Sequence, residues 1–181
     1  TIILIVATVL ILLSVSLITF IQYYFTKETE NSIKEDAKRI SSLVEESKNK
    51  SLAIQNSQTL IDNQGGLIIM SDMDDKPDSS YKNTKIQMFN EIKKSSKFKK
   101  IFDKGEYETQ NVTIKTNNNS QSYILLGYPM KAQKDSHSKY SSVFIFKDLK
   151  SIEDTNNVIT IIILITAIIF ITASTIFAFF L

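Results

Sequence analysis

The residues with the most evident chemical potential are carboxylates. Asp72, Asp74, Asp75 and Asp78 crowd into one short stretch, a density that could hold a hard divalent cation through oxygen ligands. The spacing does not fit an EF-hand loop, which wants a ligand where Lys76 stands, glycine at Pro77 and glutamate at Asn83. The run therefore reads first as a solvated loop and second as a cation sensor. A set of cations follows it: Lys93, Lys94, Lys97, Lys99, Lys100 and Lys104, interleaved with Phe98, Ile101 and Phe102. Lysines alternating with apolar side chains can rest on an anionic surface, at roughly 1 kcal/mol each. They can equally form the wet face of an amphipathic helix.

Nucleophilic and metal chemistry is poorly served. Cysteine is absent and His137 is the only histidine, so neither a zinc site nor a haem site can close on these side chains alone. His137 could still sense protons, because imidazole titrates near neutrality, but a loop position without partners favours an inert residue. The four glycines, Gly65, Gly66, Gly105 and Gly127, build no phosphate-cradling loop and no Gly-x-Ser-x-Gly elbow. No catalytic residue, metal ligand set or cofactor is expected in this segment. A net charge of +2 implies no strong preference for polyanions, and no nucleic-acid partner is expected. The sequons at Asn49, Asn111 and Asn118 are what so asparagine-rich a chain produces by chance.

Charge distribution sets the frame for these groups. All 21 Lys and Arg and all 19 Asp and Glu lie between Lys27 and Asp154. The uncharged ends, Ile2 to Phe25 and Val158 to Leu181, are dominated by Ile, Leu, Val and Phe. At about 1.5 Å rise per residue each is long enough to cross a hydrocarbon layer of roughly 30 Å. The first run is too long for a cleaved signal peptide and lacks a small-residue cleavage site. The expected organisation is a transmembrane helix at 1–25, an extracytoplasmic domain at 26–155 and a second transmembrane helix at 156–181. Both chain ends then share one side of the plasma membrane, and the chain reads as a segment of a longer one.

No proline or glycine interrupts Thr1 through Gln64, so the first span and a following stalk can form one helix ending near Ile61. Its stripe Ile33, Ala37, Ile40 and Val44 recurs at spacings of four, three and four. Such a stripe suits a dimer seam or signalling helix; it suits equally well a helix laid on the domain's own sheet. A strand at Leu67–Met70 follows, then a short helix capped by Asn83 or Thr84 with Ile86, Phe89 and Ile92 on one face. Asp103 to Gly105 ends that region. Strands are expected at Asn111–Thr116, Ser122–Met130 and Ser141–Lys147, with Asp148–Asn157 leading into the second span. The fold class is α+β: a long N-terminal helix, an antiparallel sheet and two flanking transmembrane helices, in the element order of PAS-like (Cache-type) sensor domains. A ligand-binding face is expected on the sheet at Tyr123, Leu125, Tyr128, Phe144 and Phe146, the alternative being that these are plain core.

Gln22–Thr26, Glu35–Val44, Asn111–Lys115, Tyr123–Pro129, Ser136–Tyr140 and Asp148–Asn157 resemble the N-terminal input region of respiratory-response sensor histidine kinases of staphylococci, related to the ResE-like kinases of bacilli. The resemblance runs from the first span to the last and leaves Ser71–Gln110 unmatched. It implies a dimeric plasma-membrane parent. That parent would use ATP and Mg in a kinase domain outside this segment, phosphorylate its own histidine and pass the phosphate to a cognate response regulator. The resemblance carries no catalytic residue onto these 181 residues. Partners implied are membrane lipid, a second copy, the response regulator and an extracytoplasmic ligand. Two other outputs fit the same architecture, a chemoreceptor or a cyclic-dinucleotide enzyme; a membrane-anchored structural domain without signalling fits it as well.

Overall fold

The computed structural model describes residues 2–61, 65–116, 119–131 and 139–180. His137, the Ala132–Ser138 part of its loop and the Asn117–Asn118 turn lie outside the described residues. The chain divides into two compact units: Thr29–Leu149, and the terminal segments Thr1–Glu28 with Lys150–Leu181.

The terminal unit is helical. It holds the first part of α1 (Ile2–Glu46) and α5 (Lys150–Phe180), and both helices are long and apolar enough to cross a membrane. Leu10, Leu13 and Leu17 of α1 and Ile162, Ile163 and Phe170 of α5 line a shared apolar groove. Ser14, Thr19, Thr166, Thr172 and Thr175 each donate to the carbonyl four residues back, at 2.8–2.9 Å, which removes the cost of placing a free hydroxyl in hydrocarbon.

Thr29–Leu149 is a three-layer α/β/α arrangement. Its sheet contains β1 (Gly65–Met70), β2 (Glu108–Thr116), β3 (Asn119–Lys131) and β4 (Tyr140–Asp148) in the order β1-β4-β3-β2, antiparallel throughout. Strand side chains alternate between faces, and here both faces are apolar. Leu67, Ile124, Leu126, Val143 and Ile145 point to the side covered by α1. Ile68, Val112, Tyr123, Leu125, Phe144 and Phe146 point to the side covered by α3 (Asn83–Lys94) and α4 (Ser96–Lys104). The expected strands are all present, each longer at one or both ends than its apolar run. β1 incorporates the two glycines expected to precede it.

Two expectations about helices are corrected. The N-terminal helix does not run unbroken towards Ile61: α1 stops at Glu46 and α2 spans Lys50–Leu60. The break needs no glycine or proline, because Asn49 supplies its own cap. Its Oδ1 accepts from the Leu52 N–H at 3.2 Å, and Ser47 Oγ donates to the Asn49 carbonyl at 2.9 Å. The short helix divides at Ser95 into α3 and α4, and Ile86 is exposed whereas Phe89 and Ile92 are buried. α4 ends where expected, at Gly105, whose φ of 71° is the left-handed conformation that glycine adopts without penalty.

Candidate functional site

Register places Gly66 opposite Phe146 and Gly127 opposite Phe144. In each pair the aromatic ring lies where a glycine Cβ would be: a Cβ at Gly66 would come within 2.2 Å of Phe146 Cζ, and one at Gly127 within 2.6 Å of Phe144 Cε1. The two rings have different surroundings. Phe144 is sealed under α4, edge-on to Phe98 at 5.4 Å and tilted against Phe102 at 6.1 Å. Phe146 packs edge-on against Tyr123 at 5.9 Å, and those two rings floor a cleft of about 580 Å³ at one end of the sheet. Clefts of a few hundred Å³ with an apolar floor and a few polar groups are the usual form of small-molecule sites.

The polar groups of this cleft come from three directions. Lys82, Thr84 and Lys85 arrive from the start of α3, Gln58 from α2, and Gln121 and Asp148 from the ends of β3 and β4. Gln121 Nε2 donates to Asp148 Oδ2, which holds the carboxylate at the edge of the floor. The start of α3 is unusual. Neither Asn83 nor Thr84 caps it as expected: the cap position is Lys82, with no side-chain cap bond and no acidic residue in the first turn. Gln87 Nε2 donates instead to Asn83 Oδ1 at 3.3 Å. Lysines at 82 and 85 therefore stand at the positive end of a helix dipole, where cations are disfavoured. Burial pushes the Lys85 ammonium below its usual pKa, partly offset by the charge of Asp78. Burial raises the Tyr123 phenol, with the nearby Asp148 charge adding to it.

The five residues expected to form one ligand face do not share one. Tyr123 and Phe146 border the cleft, but Leu125 and Phe144 are core with no exposed surface. Tyr128 is on the opposite face of the sheet, packed with the α1 side, because it stands an odd number of residues from Tyr123 and Leu125.

The stripe Ile33, Ala37, Ile40 and Val44 is buried to 3 % exposure or less against the sheet. It covers the chain's own strands, so those four side chains are not open to a partner helix. Burial of this kind is worth about 1.5–3 kcal/mol for each large aliphatic side chain. Polar contacts secure the same helix along its length: Lys34 Nζ sits 3.8 Å over the Tyr107 ring, and Glu45 Oε1 accepts from the Lys131 backbone N–H at 2.8 Å.

The acidic run is turned inward on its own backbone. Asp75 accepts from the Ser71 N–H, Asp72 from Asp74 at 2.8 Å and Asp78 from Ser80 at 2.8 Å. The bonds to Ser80 hold the Asp78 carboxyl below its usual pKa. Among the described residues no group of three potential metal ligands converges. In the lysine cluster Phe98, Ile101 and Phe102 are core, and Lys97, Lys99, Lys100 and Lys104 form the exposed side of α4. Lys93 reaches back to the Asp75 carbonyl at 3.0 Å and Lys94 to Glu91 at 2.8 Å.

Sequence reasoning missed Gln58, Lys82, Thr84, Lys85, Gln121 and Asp148. The one local signal was the pair of lysines in a helix start without an acid; the convergence of α2, α3 and the ends of β3 and β4 is visible only in the fold.

The model of the family described as "Histidine kinase sensor domain" matches residues 25–150, the segment that contains the sheet, α2, α3, α4 and the covering part of α1. The chain belongs to the histidine kinase sensor domain family. Relatives include "Sensor protein SrrB" of Staphylococcus aureus strain NCTC 8325 / PS 47 and the same-named protein of strain COL, each 66% identical over all 181 residues. The chain spans 31% of the length of these relatives. It is thus the sensor domain of an SrrB-like histidine kinase together with two helices of membrane-spanning character.

Proposed function

We propose that this chain is the extracytoplasmic input region of a two-component sensor histidine kinase, with the terminal helices crossing the plasma membrane and a PAS-like domain of about residues 26–155 between them. The observation that carries the proposal is the pairing of a sensor-domain sheet with a spanning-length apolar helix at each end of it in sequence. The antiparallel order β1-β4-β3-β2, with α3 and α4 crossing one face, supports the PAS-like assignment. In the parent, a kinase domain using ATP and Mg phosphorylates its own histidine and then a cognate response regulator, and a second copy completes the receptor. By the resemblance, the stimulus belongs to respiration.

The mechanism follows from where the sheet is tied. α1 is fastened to the sheet by the Ile33–Val44 stripe, and β4 ends at Asp148, leaving only Leu149 before α5 begins at Lys150. Leu149 N–H donates to the Ser122 carbonyl at 2.9 Å, so the last residue before α5 is anchored in the sheet. A change in sheet geometry therefore bears on both helices. A ligand shifts that geometry only by its difference in affinity for the two states.

The test is a reversible staple in the full-length kinase. Cysteines at Glu45 and Lys131 join α1 to β3 when oxidised. Kinase autophosphorylation should become insensitive to the change between aerobic and anaerobic growth, and sensitivity should return on reduction. A stapled kinase that responds as fully as the reduced one refutes the route.

A further inference from the structure

The sheet has two edges, and the fold treats them differently. β1 is six residues long, starts with two glycines and is backed by α2, with Ile61 Cγ2 3.1 Å from where a Gly65 Cβ would be. β2, at the other edge, is nine residues long and has neither proline nor glycine. Its pairing with β3 runs from Glu108 to Thr116 without a bulge. Short length, proline and bulges are the usual guards against strand addition; β2 has none of them, and its one lysine, Lys115, stands near its end. The direction of its backbone groups can be read from the ladder. Thr113 pairs with Ser122, and the Ser122 carbonyl accepts from the Leu149 N–H, on the β4 side, at 2.9 Å. Residues of an antiparallel ladder bond alternately to one neighbour and to the other. Ser122 therefore bonds away from Thr113, and the N–H and C=O groups of Asn111, Thr113 and Lys115 point off the sheet. All three residues are exposed, and among the described residues none of these outward groups has a hydrogen-bond partner. Beside them α3 raises a wall: Gln87, Asn90, Glu91 and Lys94 line a groove of about 320 Å³ with Thr113 and Lys115. Lys94 is matched by Glu91 at 2.8 Å, whereas no carboxylate among the described residues matches Lys115.

We propose that the β2 edge, in the groove beside α3, docks an extended segment of a partner polypeptide as a further antiparallel strand, with an acidic residue of that segment against Lys115. Outward N–H and C=O groups repeating every two residues, about 6.7 Å apart, match an extended backbone. No compact ligand presents the complementary alternation over that length. The β-branched residues Val112, Thr113 and Ile114 hold the edge extended before a partner arrives. Backbone pairing supplies the affinity, and the surroundings select the side chains: Gln87 and Asn90 favour hydroxyls and amides on the α3 side, and Lys115 favours a carboxylate across the strand pair. The docking edge goes beyond the sensor reading and rests on it only for the compartment from which such a partner comes; docking itself does not depend on kinase output.

The probe is the acetylated peptide amide Asp-Thr-Val-Thr-Val-Thr-Asn, added to the 181-residue chain in neutral detergent micelles and read by titration NMR and amide hydrogen exchange. In the chain alone, the Asn111, Thr113 and Lys115 amides should exchange without protection while those of Val112 and Ile114 are protected. The peptide should bind with a Kd of about 1 mM or tighter and protect the three outward amides. N-methylation of alternate peptide residues removes the donors along one edge of the added strand. In one phase it should weaken binding by roughly tenfold or more, and in the other by less than about twofold. Lysine in place of the peptide's aspartate should weaken binding as well. Thr113→Pro takes away an outward N–H and no ladder bond, so thermal stability should hold while binding is lost; the methylated peptides carry the same test if that variant does not fold. No protection at about 10 mM peptide, equal loss in both methylation phases, or a protected Thr113 amide in the chain alone overturns the proposal. Tighter binding of a peptide copy of Glu108–Thr116 than of the probe gives the edge to a second copy of the chain and overturns it too. A failed edge with an intact staple response removes this docking surface and leaves the sensor reading standing; a docked peptide with no staple effect does the reverse.

Discussion

Adding a single methyl group at each of the two glycines under aromatic rings should give sharply different results. At Gly127 the new Cβ would lie 2.3 Å from Ile101 Cδ1 and 2.6 Å from Phe144 Cε1. Both side chains have no exposed surface, and Phe144 is wedged by Phe98 and Phe102. Overpacking of this kind costs about 1–3 kcal/mol, against a gain of about 0.4–1 kcal/mol from restricting the unfolded chain. Gly127→Ala should therefore lose about 1–2 kcal/mol. At Gly66 the clash is nominally worse, 2.2 Å to Phe146 Cζ, but the struck atom is the far end of a ring bordering an open cleft. The ring can swing into that space, so Gly66→Ala should cost less than about 1 kcal/mol. Urea unfolding of the Thr29–Leu149 unit, followed by far-ultraviolet circular dichroism, reads both. With a slope of about 2 kcal/mol per molar, the Gly127→Ala midpoint should fall by roughly 0.5–1 M and that of Gly66→Ala by clearly less. An unchanged Gly127→Ala midpoint, or a larger loss at Gly66, would refute this account of how the two rings are housed.

Three further outcomes follow from the same geometry. Ile40→Ala should cost about 2–4 kcal/mol in the same urea assay and expose α1 to protease ahead of the sheet; a neutral effect would mean that the stripe does not hold the helix. In the dimeric parent, single cysteines along α1 should crosslink best at the exposed positions Glu35, Arg39, Ser42 and Glu46 and worst at Ile33, Ala37, Ile40 and Val44, and the opposite pattern would contradict the packing of α1 on its own sheet. Because burial lowers the Lys85 pKa, carrying its charge destabilises the fold at neutral pH, and that penalty fades as pH rises through the lowered pKa towards 10.5. Lys85→Met should thus be the more stable protein at pH 7, with its advantage shrinking in alkali; urea midpoints at the two pH values check the sign.

Much of the fold was readable because each signal was local. Uncharged runs marked the two long helices, alternating apolar residues marked the strands, and Gly105 marked a helix end. The Ser47–Asn49 break was harder, since capping there uses an asparagine and a serine rather than a glycine or proline. The stripe on α1 was legible as a contact surface, yet its spacing is the same whether the partner is a second helix or a sheet, and only the tertiary structure separates them. The ligand face was the least legible part. Parity along β3 puts Tyr128 across the sheet from Tyr123, and the polar wall of the cleft is assembled from helix and strand ends far apart in sequence.

The central claim is that Thr29–Leu149 faces outward between two membrane crossings, and the absence of cysteine from these 181 residues lets one introduced thiol report on it. A cysteine introduced at Lys99 or Ser96, both exposed on α4, is treated with a membrane-impermeant maleimide in intact cells expressing the full-length kinase with any cysteine outside these 181 residues replaced by serine. The account predicts complete labelling without lysis. Labelling that appears only in inverted vesicles would place the domain in the cytoplasm and contradict it.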